Sequence, residues 1–163
     1  MSAIGASLKG RGRTIGEADV TSFAALTGDW HPQHADAVWA AESPFGERVA
    51  HGMLVLSYSV GLLPIDPDRV VALRAVREVV FKRPVAIGAT IRPEAEVVGE
   101  RPLDDEHSLV QLALRVRDAE GRLLVRGTIE VLWRRQEKAV NGTTNGRVEE
   151  FDLSPCVDGR VLT

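Results

Sequence analysis

The chain has 163 residues, of which 44% are hydrophobic, 26% charged and 5% aromatic. This is the composition of a soluble globular protein, and it excludes collagen-like, disordered and disulfide-scaffold chains. A chain of this length buries about 70% of its unfolded surface, enough for one core. The net charge of −3 provides no basic surface for nucleic acid.

Three features bear on the compartment. Cys156 is the single cysteine, so no internal disulfide can form, and no base stands beside it to make it a nucleophile. Residues 1–13 contain no apolar core of a signal peptide. The longest apolar run, at 53–65, is shorter than the roughly 20 residues that span a bilayer. We therefore expect a cytoplasmic protein without membrane contact.

The first part of the chain is predicted to be helices and turns. Apolar spacing predicts a helix over 14–27, ended by Gly28. Pro32 disfavours a helical conformation at His31, so the polar stretch after Gly28 has to turn or extend. A short helix over 36–42 follows, with an aspartate at its start as the cap.

The second part of the chain is predicted to be one apolar helix followed by strands. Residues 54–63 would form a helix buried all round, ended by Pro64 and Pro67. Alternation with a period of two then predicts strands at 70–81, 91–97, 110–116 and 125–133. A hairpin linker at 118–122 joins the last two strands, and His107 lies in a polar loop where we expect it to be solvated.

These elements predict an α+β protein in which an antiparallel sheet wraps around one central helix. We expect a single domain over 1–135, followed by an extension at 136–163 that starts with a linker-like composition and whose later part could dock. Pairing of exposed sheet edges in a symmetric homodimer or larger homo-oligomer is the usual way to protect them.

Reactive side chains concentrate between Gly28 and His51. Asp29 and His34 can do acid/base work together, because a carboxylate stabilises a nearby imidazolium and both can act on one water. Equally, the two residues can be ordinary turn formers, since an aspartate and a histidine five positions apart are common. A zinc or iron site that adds His31 and Asp36 is a third interpretation, but the spacing matches no familiar ligand signature.

The start of the buried helix is the other candidate element. Backbone N–H groups at Gly52 and Met53, with no Cβ at Gly52 to block approach, can hold a carbonyl oxygen or an oxyanion. The alternative is that His51 and Gly52 only shape the turn into the helix. Ser57 is polar inside the apolar run, and bonding back to a helix carbonyl is the common explanation for such a serine.

Three blocks of the chain resemble the MaoC-like (R)-specific enoyl-CoA hydratases, which have the hot-dog fold. The family motif, an aromatic residue followed by Ser/Thr-Gly-Asp-x-Asn-Pro-x-His, resembles the stretch 23–34. The next blocks are similar to 45–54 and 81–88, in the same order and at the same spacing. The resemblance covers about 14–133, and one position departs from it, because the Asn of the motif is His31 here.

The resemblance implies an enzyme of fatty acid metabolism, a hydro-lyase that interconverts a 2-enoyl-CoA and a 3-hydroxyacyl-CoA without metal or other cofactor. It implies that Asp29 and His34 activate water, that the Gly52 amide holds the thioester carbonyl, and that Ser57 helps to hold the pair. Substrate contacts would extend to His31 and Met53. The basic residues that could meet the CoA phosphates are Lys82, Arg83 and Arg48.

The same fold hosts other activities, so it does not determine the function. The alternatives are an acyl-carrier-protein dehydratase, a thioesterase, and a non-catalytic acyl-CoA-binding or partner subunit in which His31 marks lost activity. A thioesterase would need a group aimed at the carbonyl carbon, whereas the motif is arranged for chemistry at Cα and Cβ.

Overall fold

The computed structural model describes residues 4–135, which confirm the predicted α+β class. A sheet of six strands and four helices make up this part of the chain. In chain order the elements are β1 (Ser7–Lys9), β2 (Arg13–Thr14), α1 (Glu17–Thr27), α2 (Pro32–Ala35), α3 (Ala37–Ala41), α4 (Gly52–Gly61), β3 (Val70–Phe81), β4 (Thr90–Pro102), β5 (His107–Arg117) and β6 (Leu123–Arg134). The predicted extension at 136–163 lies outside the described residues.

Period-two alternation builds the sheet as predicted. In β4, for example, Ile91, Ala95 and Val97 are buried while Arg92 and Glu96 are exposed. The strand order is β1-β4-β5-β6-β3, with β2 also pairing with β4, and every pairing is antiparallel. β3 lies at one edge and its pairing with β6 has three register irregularities, which explains its less regular pattern.

Helix α4 is the central helix that the apolar segment predicts. It is not buried all round as expected, because Met53, Ser57 and Gly61 are exposed. It starts two residues earlier than expected, and its buried residues include Leu54, Val55 and Leu56. These side chains join a core with inward-facing residues of the sheet such as Leu112 and Ile129. The sheet therefore covers α4 and leaves the start of that helix near the edge of the core. No helix of the described residues is long and apolar enough to cross a membrane.

The helices before α4 agree only in part with the sequence prediction. Helix α1 ends at Thr27 as expected but begins at Glu17, not at residue 14, because Thr14 pairs with β4. Helix α2 was not predicted, since this stretch was expected to turn or extend. Gly28 takes a left-handed conformation (φ 78°) and its N–H donates to Ala24 O at 2.8 Å, closing α1. His31 is non-helical, with ψ 136°, and Pro32 begins α2 directly after it. Asp36 then caps α3 through two backbone N–H groups.

The burial of two polar residues was not foreseen. His107 is not a solvated loop residue, because it begins β5, is only 8% exposed, and donates its backbone N–H to Asp104 Oδ1 at 2.6 Å. Glu130 is a charged residue of the strand predicted at 125–133, but it is buried. Its carboxylate accepts bonds from Arg77 (3.1 Å) and Gln111 (3.0 Å), which pack across it from neighbouring strands.

Candidate active site

A cavity of about 580 Å³ lies at the start of α4. The end of α1, the turn after it, helix α2 and the segment that follows β3 complete its walls. Among the predicted site residues, the cavity wall contains Asp29, His34, Gly52, Met53, Lys82 and Arg83. The fold thus brings residues from three separate segments of the chain to one place.

His34 is held with a defined tautomer. Its Nδ1 lies 2.7 Å from Val49 O, and because a carbonyl oxygen only accepts, Nδ1 carries the proton. The lone pair of the neutral ring is then on Nε2, which lies 3.0 Å from Gln33 Nε2. Burial lowers the pKa of His34 below its ordinary value, an effect that the Val49 carbonyl opposes and the nearby His51 reinforces.

Asp29 supplies the carboxylate of the site. It follows the left-handed Gly28, is exposed, and its Oδ1 accepts the N–H of His31 at 3.3 Å, a turn-forming bond of the kind expected for an aspartate here. One of its oxygens and one ring nitrogen of His34 lie within 4.8 Å of each other. Two acceptors that share one water at about 2.8 Å lie roughly 4.5 Å apart. The spacing of Asp29 and His34 therefore suits a shared water when the Nε2 lone pair of His34 is free of Gln33.

His51 connects the two members of this pair. Its Nε2 donates to the backbone oxygen of Asp29 at 2.9 Å, and its ring stacks on that of His34 with centroids 3.7 Å apart. Phe23 contacts its other side, with ring centroids 5.1 Å apart. His51 is 2% exposed and its Nδ1 has no hydrogen-bond partner in the described residues. The residue therefore fixes the backbone of one site residue and the ring of the other.

The start of α4 offers backbone donors to the cavity. The first bond into the helix runs from Val55 N–H to His51 O (3.2 Å), which leaves the amides of Gly52 and Met53 without intrahelical acceptors. A Cβ on Gly52 would lie only 2.9 Å from a ring carbon of Phe81. Glycine is needed there because this ring packs against it, which the sequence did not reveal.

Two residues of the hypothetical metal site, His31 and Asp36, serve as helix caps. Asp36 caps α3 and His31 caps α2, so the cluster with ligand chemistry is Asp29, His34 and His51. The rings of His34 and His51 are stacked, with an angle of 27° between their planes. A zinc ion bound by both histidines would have to lie in both ring planes, about 2.1 Å from a nitrogen of each ring. Two nearly parallel planes do not meet at such a point. These side chains, in this arrangement, do not fit one metal ion.

The other predicted residues lie outside the cavity wall, although His31 adjoins the pair, with its ring centroid 6.4 Å from that of His34. The Ser57 hydroxyl donates to Met53 O at 2.8 Å, as expected for a helical serine, and the side chain is exposed outside the cavity wall. Both terminal nitrogens of Arg48 bond the Glu17 carboxylate, at 2.7 and 2.6 Å. The His31 ring faces Trp39, with centroids 5.3 Å apart, and lies outside the cavity wall.

Comparison with known proteins gives independent evidence about the family. A family model described as MaoC like domain matches residues 1–118, which include the whole cavity wall. The chain belongs to the MaoC-like domain family. This confirms the resemblance read from the three sequence blocks, and the sheet around α4 is the hot-dog fold of that family.

Individual MaoC-like relatives differ in how much they share. The chain is 32% identical over 115 residues to the (R)-specific enoyl-CoA hydratase of Aeromonas caviae, covering 71% of this chain and 84% of that protein. It is 43% identical over 81 residues to Protein MaoC of Klebsiella aerogenes, covering 49% of this chain but only 24% of that protein. A solved structure, the monoamine oxidase regulatory protein from Archaeoglobus fulgius, superposes with a TM-score of 0.77 at 36% identity, covering 82% and 91% of the two chains.

Sequence reasoning missed the contacts that two residues of this MaoC-like site make. Gln33 carries no periodic signal in the sequence. Its amide becomes relevant only because it lies 3.0 Å from Nε2 of the adjacent His34. His51 was considered at the start of the buried helix, with a turn role as the alternative, but its contact with His34 was not predicted. Its stacking on His34 depends on how α2 and the start of α4 meet, which is a tertiary feature.

Proposed function

We propose that this protein is a hydratase/dehydratase that reversibly adds water to a 2-enoyl-CoA thioester and gives a 3-hydroxyacyl-CoA. The observation that carries the proposal is the approach of Asp29 and His34, within 4.8 Å, at a cavity that also contains the start of α4. The (R)-specific enoyl-CoA hydratase among the relatives supports the same reaction class.

In the proposed mechanism, Asp29 and His34 remove a proton from water as its oxygen bonds to the β-carbon, and a proton is returned to the α-carbon. A positioned acid/base pair contributes about 10²–10⁴-fold to the rate. Addition moves negative charge onto the thioester oxygen, where the Gly52 amide would donate. One such donor contributes about 3 kcal/mol to transition-state stabilisation.

The substrate assignment follows from the walls of the cavity. Phe23, Phe45, Met53 and Val55 give it apolar surface for an acyl chain. Lys82 and Arg83 bring positive charge to the same cavity and would meet the CoA phosphates. The bidentate pairing of Arg48 with Glu17 removes it from this role. No metal or other cofactor takes part in the proposed reaction.

We further propose that the active protein is a homodimer. β3 is an edge strand, and its Leu73 and Val76 are exposed apolar side chains, a surface that soluble proteins usually cover. Light scattering on the purified chain would give twice the monomer mass, whereas a monomer mass at working concentration would contradict this part of the proposal.

The reaction is tested by the loss of 2-enoyl absorbance when crotonyl-CoA is added to the purified protein. Asp29→Asn and His34→Ala should each abolish that loss. Asp36→Asn is the matched control, because asparagine also caps helices well and Asp36 lies outside the cavity wall. Binding of CoA esters without hydration at any chain length would contradict the enzymatic proposal and favour an acyl-CoA-binding subunit.

A further inference from the structure

The base of the proposed reaction has no free nitrogen in the structure. His34 is 4% exposed, its Nδ1–H donates to Val49 O, and its Nε2 accepts the carboxamide N–H of Gln33 at 3.0 Å. A neutral imidazole has one in-plane lone pair, and it is the one that must receive the proton of water. The hydrogen bond of Gln33 therefore occupies the reactive position of the base.

The backbone of Gln33 is fixed, whereas its side chain faces the cavity. The Gln33 N–H donates to His31 Nδ1 at 3.2 Å, and its carbonyl oxygen accepts the Val49 N–H at 3.1 Å. The side chain is half-buried and forms part of the cavity wall. Rotation of the side chain can thus release His34 without moving the helix that carries it.

The position of the carboxamide nitrogen is informative. Hydrogen-bonded oxygen and nitrogen atoms lie about 2.7–3.2 Å apart, so a water bonded to His34 Nε2 would need the place that Gln33 Nε2 fills at 3.0 Å. The two cannot be there together. Hydration requires the amide to leave before water and Asp29 can meet the base.

We propose that Gln33 is a gate residue, whose carboxamide occupies the water position on His34 in the free protein and swings away when the acyl thioester binds. The inference rests on the proposed function. It adds a conformational step before catalysis, and that step lowers the fraction of protein ready to react.

Two consequences follow from replacing the amide with an apolar side chain. The competing contact disappears, so kcat/KM should rise. A donor to the neutral nitrogen also favours the neutral ring, so its loss should raise the pKa of His34 and move the acid limb of the pH profile to higher pH. Burial continues to lower the same pKa in both proteins.

The test compares Gln33→Met, which keeps the length of the side chain and has no donor, with Gln111→Met as control. Gln111 donates its amide to Glu130 in the sheet, away from the cavity. With crotonyl-CoA, Gln33→Met should raise kcat/KM about threefold to tenfold above the acid limb and shift that limb upward, and the control should do neither. A fall in kcat/KM, or an unmoved limb, would overturn the gate.

A second measurement needs neither turnover nor a variant. In the wild-type protein, addition of butyryl-CoA, which cannot react, should shift the side-chain NH₂ resonances of Gln33 and the Nε2 resonance of His34 together. Binding of the ester without these shifts would overturn the gate. If crotonyl-CoA is bound but not hydrated, the proposed function fails alone, because these resonances still decide whether the amide leaves the imidazole.

Discussion

Two buried polar groups of this protein, Glu130 in the sheet and His34 at the cavity, are equally hidden from solvent, each 4% exposed. Both oxygens of Glu130 have partners, because Arg77 contacts each of them at 3.1 Å and Gln111 also donates to Oε1. His34 lies beside a cavity and stacks on His51, whose Nδ1 has no partner in the described residues. Although Glu130 and His34 are equally buried, the carboxylate of Glu130 is fully hydrogen-bonded, whereas the histidine pair at the cavity retains one nitrogen without a partner in the part of the chain that the structure describes.

The pKa values of Glu130 and His34 are also shifted by different causes. The pKa of Glu130 is lowered mainly by its bond with the Arg77 guanidinium, which stabilises the charged carboxylate. The pKa of His34 is lowered mainly by burial, which disfavours the charged imidazole. Glu130 lies outside the cavity wall, whereas His34 forms part of it, and a group with a shifted pKa beside a cavity is a candidate for chemistry.

The largest expected effect is the loss of activity in a variant of His34, compared with a variant of Glu130. His34→Ala should lower kcat with crotonyl-CoA by about 10²–10⁴-fold, since it removes one member of the acid/base pair. Glu130→Ala should leave kcat unchanged and lower the free energy of unfolding by about 1–3 kcal/mol, because it leaves polar partners unsatisfied. Steady-state kinetics and urea unfolding measure both, and the comparison fails if Glu130→Ala reduces kcat as strongly as His34→Ala.

A smaller effect is expected at Gly52, where the ring of Phe81 limits the space. Gly52→Ala should raise KM about tenfold, because the new methyl group forces the half-exposed ring into the cavity. Gly61→Ala, in the same helix, is the control, since its Cβ would meet nothing within 4 Å. Equal KM values for the two variants would show that the Phe81 contact does not shape the site.

His31 gives a still smaller effect, because it lies outside the cavity wall and reaches the site through the helix it caps and through its ring, 6.4 Å from the His34 ring. Its Nδ1 accepts the Gln33 N–H, as an asparagine oxygen would, so His31→Asn should keep kcat/KM within about threefold. His31→Ala should cost about 1 kcal/mol of stability and reduce kcat several-fold. Asp36→Ala, which uncaps α3, should lose similar stability with kcat retained. A large gain of activity in His31→Asn would contradict the capping role.

The smallest effect is a graded dependence of stability on pH. Because the pKa of His34 is lower in the folded protein than its ordinary value near 6.5, the unfolded chain takes up the proton first as the pH falls. Stability should therefore decline from pH 6.5 down to the folded pKa, and less so in His34→Gln. The contribution of Glu130 is lost separately, below about pH 4.5. Urea unfolding at several pH values checks this, and identical slopes for wild type and His34→Gln near pH 6 would refute it.

Most of the fold could be predicted from the sequence because the apolar periods are long and regular. The four long strands and α4 follow from alternation and from an all-round apolar segment. β1 and β2 could not be predicted, since strands of three and two residues carry no period and exist only through pairing with β4. Glu130 is a charged residue of a predicted strand, but its burial depends on side chains from other strands.

The candidate site was only partly accessible to sequence reasoning. Asp29 and His34 stood out because reactive side chains cluster after Gly28, and local turn chemistry explains their backbone. The stacking of His51 and the approach of Phe81 to Gly52 could not be predicted, because each joins segments far apart in the chain. Local signals thus indicated the groups to which we assign the proposed chemistry, and tertiary packing determines what holds them.

The most direct test of the proposed chemistry is a crystal structure of the Asp29→Asn variant with bound 3-hydroxybutyryl-CoA. We expect the C3 hydroxyl oxygen to lie within hydrogen-bond distance of both the residue-29 side chain and His34 Nε2. A hydroxyl bound elsewhere in the cavity, with Nε2 still bonded to the Gln33 amide, would contradict it.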